Sequence, residues 1–309
     1  STDDPSDPDW ATESLTLPFA ADVNTLTAAE GKLYMLSTAG DLYEGAGFGS
    51  WQATGQSWKG ITGIYEDQII GAKQSGDAWK IAAYPSLKEW DAPEGFPVAG
   101  ASKMLTYTMP IGDAPQTVLV GGRASDGTLS TATWSFDGEN WAKVSRPGYG
   151  LPVGLEDVAV VEYDLIRVPS STWSPVQYPA ILLFGGRNSE GAINRTVYMT
   201  TDLGLTWREA PELLALPEDL PSSYGASAFV YTTVMHASRA VSKWTSLRTR
   251  PLPPHCTPEL PTGQSRVSTL IDEWDCPAIY MIGGYDKDGK PLNQMWRGVI
   301  LRYTFRPIC

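Results

Sequence analysis

Residues able to act as nucleophiles or metal ligands are scarce in this chain of 309 residues. The only histidines are His236 and His255, and the three cysteines, Cys256, Cys276 and Cys309, lie in the last 54 residues with no Cys-x-x-Cys pair. That supply is too thin for a Cys/His zinc site, so no metal and no cofactor are expected. A Cys256–Cys276 disulfide is one reading if the protein is exported, and unpaired thiols are the other. No Gly-x-Ser-x-Gly elbow, phosphate loop or His-Glu-x-x-His helix occurs. Carboxylate pairs do occur, at Glu156-Asp157 and Glu218-Asp219, but neighbours in sequence read as turn solvation before acid/base machinery. Two arginines, Arg123 and Arg187, recur at matching places in a repeat, and a guanidinium is shaped to grip a carboxylate or sulfate.

That repeat decides the fold class. Three segments align without gaps: Gly121-Gly-Arg-Ala-Ser-Asp-Gly127, Gly185-Gly-Arg-Asn-Ser-Glu-Gly191 and Gly283-Gly-Tyr-Asp-Lys-Asp-Gly289. An apolar run precedes each glycine pair, and an aromatic follows the second glycine by twelve residues: Trp134, Tyr198 and Trp296. Repeated units of strand, turn and aromatic point to an all-β array. The first ninety residues carry the pattern in degenerate form, with Tyr43 and Trp79 as the aromatics and Trp51 and Trp90 on the next strand. In the later units Trp141 and Trp207 hold that place, the latter closing Thr200-Thr-Asp-Leu-Gly-Leu-Thr-Trp207. There Asp202 is expected to bond its own hairpin, Gly204 to supply a positive φ and Trp207 to pack between sheets; Asp137 heads a shorter version.

Five third-strand aromatics against four following tryptophans imply five four-stranded blades, with the last short of one strand. Trp10 and the residues after it resemble the stretches that follow the other tryptophans, so an N-terminal strand around Trp10 is expected to close the ring and remove its open edge. Tyr198 to Trp296 spans 98 residues against 36 to 64 elsewhere, which reads as an insertion at 235–262 in the last blade; six blades is the alternative count. Residues 1–9, acidic and Pro-rich, read as a linker, and 10–309 as a single domain. The chain does not begin with Met, so a leader or anchor segment is expected ahead of it.

The glycine pairs, spaced aromatics and tryptophans resemble Kelch propellers, a fold shared with galactose oxidase, and the Asp202 hairpin resembles the Asp-box of sialidase-like propellers. With Trp274-Asp-Cys-Pro-Ala-Ile-Tyr-Met-Ile-Gly-Gly284 and Trp296-Arg-Gly-Val-Ile300 added, the pattern looks like a family of secreted propeller lipoproteins from gut bacteria. The galactose oxidase resemblance would imply copper on two His and two Tyr; His236 and His255 fall in or beside the insertion, so copper is not expected. The sialidase resemblance would imply three clamping arginines, of which only Arg123 and Arg187 have counterparts.

In Kelch propellers the residue after the glycine pair often faces the channel mouth. By position this names Arg123, Arg187 and Tyr285, with Asn188 and Asp286 beside them, as ligand-binding residues. Two converging guanidiniums would make a positive spot, and Tyr285 could stack on a sugar or peptide. The alternative is that these side chains are solvated and paired with Asp126, Glu190 and Asp288. Asp137, Asp202 and the tryptophans Trp10, Trp51, Trp90, Trp141 and Trp207 are read as structural repeat residues.

Net charge of −12 without a basic stripe argues against nucleic acid, and no apolar run is long enough for a membrane helix. The expectation is therefore an extracytoplasmic monomer at the surface or in the periplasm of a Gram-negative bacterium, lipid-anchored through the preceding segment. Its role is read as a binding module for a glycan or envelope protein. A glycan-active, sialidase-like hydrolase is the first alternative, and a structural spacer the second.

Overall fold

The computed structural model describes residues 17–47, 50–100, 105–107, 116–167, 176–210, 216, 220–235, 242–246, 274–292 and 295–300. Their strands form five four-stranded antiparallel sheets and one two-stranded ladder. The first sheet is β1 (Ala21–Ala29), β2 (Lys32–Ser37), β3 (Asp41–Gly45) and β4 (Trp51–Ser57), and the second is β5 (Gly60–Tyr65), β6 (Gln68–Ser75), β7 (Ala78–Tyr84) and β8 (Glu89–Asp91). Both run in chain order, each successive pair of strands joined by a connection of two to five residues. Glu30 and Gly31 between β1 and β2, and Glu66 and Asp67 between β5 and β6, have φ of 48, 72, 44 and 64°, as primed turns require.

A short β9 (Pro97–Ala99) leads into the third sheet: β10 (Leu105–Tyr107), β11 (Gln116–Val120), β13 (Thr133–Phe136) and β14 (Trp141–Lys143), with β12 (Arg123–Ala124) turned aside to pair with β9. The fourth is β15 (Ala159–Arg167), β16 (Val176–Phe184), β17 (Tyr198–Thr200) and β18 (Arg208–Glu209). The fifth combines β19 (Ser227–Met235), β20 (Ser242–Ser246), β21 (Trp274–Ile282) and β22 (Met295–Ile300) in the order β19-β21-β22-β20.

First strands of successive sheets lie against one another, β1 with β5 and β10 and β19 each with β15. The fourth strands β4, β8, β14 and β18 carry mostly exposed or half-exposed residues. The first four sheets thus run from a central first strand to a peripheral fourth, the meander of a propeller blade. Alternation assigns the two faces of each sheet to two neighbours. In β16, Ala180, Leu182 and Phe184 pack toward Ile279 and Met281 of β21, while Ile181 and Leu183 pack toward Val118 and Val120 of β11. Leu119, between those two valines, faces the other way, toward Ile70, Ala72, Ile81 and Ala83 of the second sheet. Ile69 turns back to Trp58, Leu36 and Leu42 of the first. Four apolar seams result, one between each pair of successive sheets, and burial on both faces explains why these strands read as continuous apolar runs.

The glycine pairs hold the seams close. All six glycines have φ between 61 and 87°. A Cβ on Gly121 would lie 2.6 Å from the Leu155 carbonyl, and one on Gly185 2.4 Å from that of Ser223. The loop before the next sheet docks there, Gly122 donating its N–H to Leu155 at 2.7 Å and Gly186 to Ser223 at 3.2 Å. Only glycine tolerates both the backbone and the approach.

The last sheet is not built in chain order. The place beside β22 is taken by β20, paired from Ser242↔Ile300 to Ser246↔Trp296. Among the described residues its fourth strand therefore comes from inside the stretch read as an insertion at 235–262; Trp10 and the N-terminal strand expected to close the ring lie outside the described residues. A strand inserted between the first and second of its own unit can fold back across the sheet, a route the motif spacing does not display. His236, His255, Cys256 and Cys309 lie outside the described residues, and Cys276 sits in β21 opposite Thr233. No helix among the described residues is long and apolar enough to cross a membrane.

Candidate functional site

The residue after each glycine pair is held by backbone bridges on both sides. Arg123 bridges Ala99 and Leu129, Arg187 bridges Glu156 and Ile193, and Tyr285 bridges Tyr224 and Pro291. Beyond Ala99, Glu156 and Tyr224 come Gly100, Asp157 and Gly225, each in the left-handed region with φ of 58, 55 and 66°. These three are linked sheet to sheet: Asp157 donates its N–H to Gly100 O at 2.7 Å, and Gly225 donates to Asp157 O at 2.8 Å. Because they precede the central strands, the five side chains of Arg123, Glu156, Arg187, Tyr224 and Tyr285 gather around the inner end of three adjacent sheets.

The side chains there form one connected group. Glu156, 8% exposed, accepts a fork from Arg123, Nε to Oε2 and Nη2 to Oε1, both 2.9 Å. Arg123 Nη1 also donates to Gly127 O at 2.7 Å, which fixes that guanidinium on three sides. Arg187 brings Nε within 3.0 Å of Glu156 Oε1, an ion-pair distance at which the N–H is not aimed along a hydrogen bond, and Nη2 within 3.1 Å of Asp157 Oδ2. Its Cζ stands 4.6 Å from the Tyr224 ring centroid, and Tyr224 stacks on Tyr285 at 5.6 Å and 27°. A guanidinium and two tyrosines thus make a layered ledge, clamped at one end by carboxylates.

Electrostatics follow from that packing. Burial pushes the Asp157 carboxyl above the usual aspartate range; Arg187 pulls it down, but not enough to offset burial and the neighbouring Glu156. The negative charge of Asp22, at the start of β1, adds a smaller push in the same direction. Arg123 is held more firmly protonated by its bond to Glu156.

The arginines do converge, but on Glu156, so this end of the sheets holds two positive and two negative groups and not a bare positive spot. Their partners are Glu156 and Asp157, not Asp126, Glu190 or Asp288. Glu156 is accordingly no solvated turn residue. Asn188 and Asp286 turn Oδ1 into their own loops, the first accepting from Glu190 and Ala192 N–H at 3.0 and 2.9 Å, the second from Asp288 and Lys290 at 2.9 Å each. They shape the loops beside the site. Tyr224 escaped notice because it lies outside the glycine motif; aligning Ala99-Gly100, Glu156-Asp157 and Tyr224-Gly225 would have found it.

The repeat residues lie away from this cluster. Asp202 accepts from Thr206 N–H at 2.9 Å, Thr206 Oγ1 at 2.7 Å and Thr200 Oγ1 at 2.8 Å, and Gly204 has φ of 80°. Burial pushes the Asp202 carboxyl up, but the hydrogen bonds from Thr206 and Thr200 outweigh it and hold it below the usual range. Trp207 is buried in the seam between the third and fourth sheets and donates Nε1 to Thr133 Oγ1 at 2.7 Å. Asp137 accepts from the N–H groups of Glu139 and Asn140 at 2.8 and 2.6 Å. Trp90 and Trp141 pack on Phe136, and Trp51 meets Phe19 edge-on. Trp58, not singled out in the sequence, is buried deeper than any of these, at 2% exposure. Among the described residues no group of three His, Cys, Asp or Glu is placed to hold a metal ion.

Comparison with known proteins gives a family. The family model described as the DUF6242 beta propeller domain matches residues 1–308. No curated protein matches. Among solved structures, that of YjhT is similar at 11% identity with a TM-score of 0.42, covering 92% of this chain and 95% of that one.

Proposed function

We propose that this chain, which belongs to the DUF6242 β-propeller family, is a non-catalytic binding module of the bacterial cell envelope that takes its ligand at the inner end of the sheets. In this reading the ring has five blades of Kelch and Asp-box type, and the protein is extracytoplasmic and lipid-anchored. The ligand is a glycan or an envelope protein. The observation that carries it is the Arg187–Tyr224–Tyr285 ledge. Two half-buried tyrosines offer flat apolar area next to a guanidinium and two carboxylates, the mixture with which proteins grip polyhydroxylated rings and peptide bonds. All of them hang on short loops fixed by backbone bridges, so little ordering entropy is lost on binding.

The test is a binding screen of the purified chain against a glycan array and a panel of purified envelope proteins, with Tyr224→Ala/Tyr285→Ala alongside. Retention by the native chain and loss in the double variant is the expected result; equal retention by both moves the site elsewhere. Glycan hydrolysis is the second reading, and Asp157 favours it, since a carboxyl lifted by burial is suited to donate a proton. Against it, the adjacent carboxylate, Glu156, is already engaged by Arg123. Mass spectrometry of the same wells separates the two, because products released by the native chain and not by Asp157→Asn would establish catalysis.

A further inference from the structure

Three positions on the inner ring are geometrically equivalent: Gly100, Asp157 and Gly225, with φ of 58, 55 and 66° and consecutive backbone hydrogen bonds. Two are glycine, as a left-handed backbone favours. The third carries a carboxylate that is unfavourable twice over, in backbone conformation and in desolvation. Its compensation is partial. Arg187 Nη2 reaches Oδ2 at 3.1 Å, and even with that cation beside it burial keeps the carboxyl above the usual aspartate range. A residue that breaks a local rule without full internal compensation marks a functional position.

The charge count says what kind of ligand. Arg123 and Arg187 are matched by Glu156 and Asp157, and Asp22 adds a further negative group nearby. An anionic group entering here would find each guanidinium already matched by a carboxylate, with no cation left unopposed. A neutral sugar ring meets complementary partners instead: a carboxylate oxygen to accept from hydroxyls, Arg187 to donate, and the tyrosine faces for its C–H surface.

Resting on the binding-module reading above, we propose that Asp157 is a ligand-contacting residue that sets specificity, and that the site takes an uncharged sugar ring through its hydroxyl groups. This replaces the carboxylate- or sulfate-bearing ligand that two converging arginines suggest in the sequence.

The experiment is calorimetric or array binding of neutral oligosaccharides and their C6-oxidised uronate counterparts to the native chain, Asp157→Gly and Asp157→Asn. Glycine stands at the two equivalent positions, so Asp157→Gly is expected to fold with an unfolding midpoint no lower than native. Its affinity for neutral sugars falls tenfold or more. Asn, which tolerates the same backbone and keeps a hydrogen-bonding oxygen, falls less. Uronates bind the native chain more weakly than their neutral parents. Unchanged affinity in Asp157→Gly, preference for the uronates, or absence of binding to every neutral sugar overturns the proposal. If uronates bind and Tyr285→Ala releases them, the binding module stands and only its ligand class falls; if the ledge variants change no binding of any kind, the module itself falls.

Discussion

Replacing Glu156 by Gln tests whether the arginines are held by one shared carboxylate. The substitution keeps shape and one acceptor oxygen but removes the charge that takes two 2.9 Å bonds from Arg123 and lies 3.0 Å from Arg187. Removing one partner of a well-buried pair costs about 3–5 kcal/mol, and the carboxylate is only 10% exposed. The guanidiniums, however, are 37 and 38% exposed, so water recovers part of what they lose. The retained Gln oxygen recovers one neutral hydrogen bond of about 1 kcal/mol. A net loss of about 2 kcal/mol remains. Urea unfolding of the native chain, Glu156→Gln, Arg123→Ala and the double variant closes a thermodynamic cycle in which the Arg123–Glu156 coupling should be about 1–2 kcal/mol. A coupling below about 0.3 kcal/mol, within the scatter of exposed ion pairs, would refute the view that Glu156 organises this cluster.

Further outcomes are expected. Burial raises the Asp157 carboxyl above its ordinary 3.8, so this group adds most stability when protonated and loses it as pH rises through its folded-state value; the stability of the native chain relative to Asp157→Asn should therefore grow as pH is lowered through that window, and a flat difference would contradict it. Gly121→Ala and Gly127→Ala both place a side chain at positive φ, 70 and 86°, but only the first meets backbone, at 2.6 Å; the Gly127 variant should lose about 1 kcal/mol and the Gly121 variant clearly more, and equal losses measured by urea unfolding would show the seam to be slack. Asp202→Ala removes three hydrogen bonds from its hairpin and should lower stability by about 1–3 kcal/mol at neutral pH; because the Asp202 carboxyl is held low, that difference should shrink as pH falls through its folded-state value. Deleting residues 1–16 should leave a single cooperative unfolding transition, since β20 already flanks β22; loss of cooperativity would favour the closure read from Trp10.

Much of the fold was legible because its constraints are local. Paired glycines at 121–122, 185–186 and 283–284 announce a backbone other residues resist, and all six show it. The aromatics at Tyr43, Trp79, Trp134, Tyr198 and Trp296 fall on the third strands of the five sheets. What escaped is set by distance. β20 reaches its place by a fold-back that no spacing records. Glu156 looks solvated beside Asp157 in the sequence and is buried only because Arg123, from the preceding sheet, arrives over it. Tyr224 acquires meaning from Arg187 and Tyr285, which are distant in sequence. Asn188 and Asp286 failed in the opposite sense, because short polar side chains beside a turn serve that turn first.

The stitches that join neighbouring sheets at the centre are amide to carbonyl, from Asp157 to Gly100 and from Gly225 to Asp157. Such stitches are indifferent to the side chain that hangs from them, so construction and chemistry are written in separate alphabets. At 100, 157 and 225 the left-handed backbone biases the chemical alphabet toward Gly, Asn and Asp: most readily a carboxylate, an amide or nothing. At the preceding residues, Ala99, Glu156 and Tyr224, φ is not positive, and the side chain is free to vary so long as the N–H of 156 and 224 is kept for the bridges. A molecule built this way can acquire a new taste by exchanging a few letters at two adjacent tiers while its frame stays as it is.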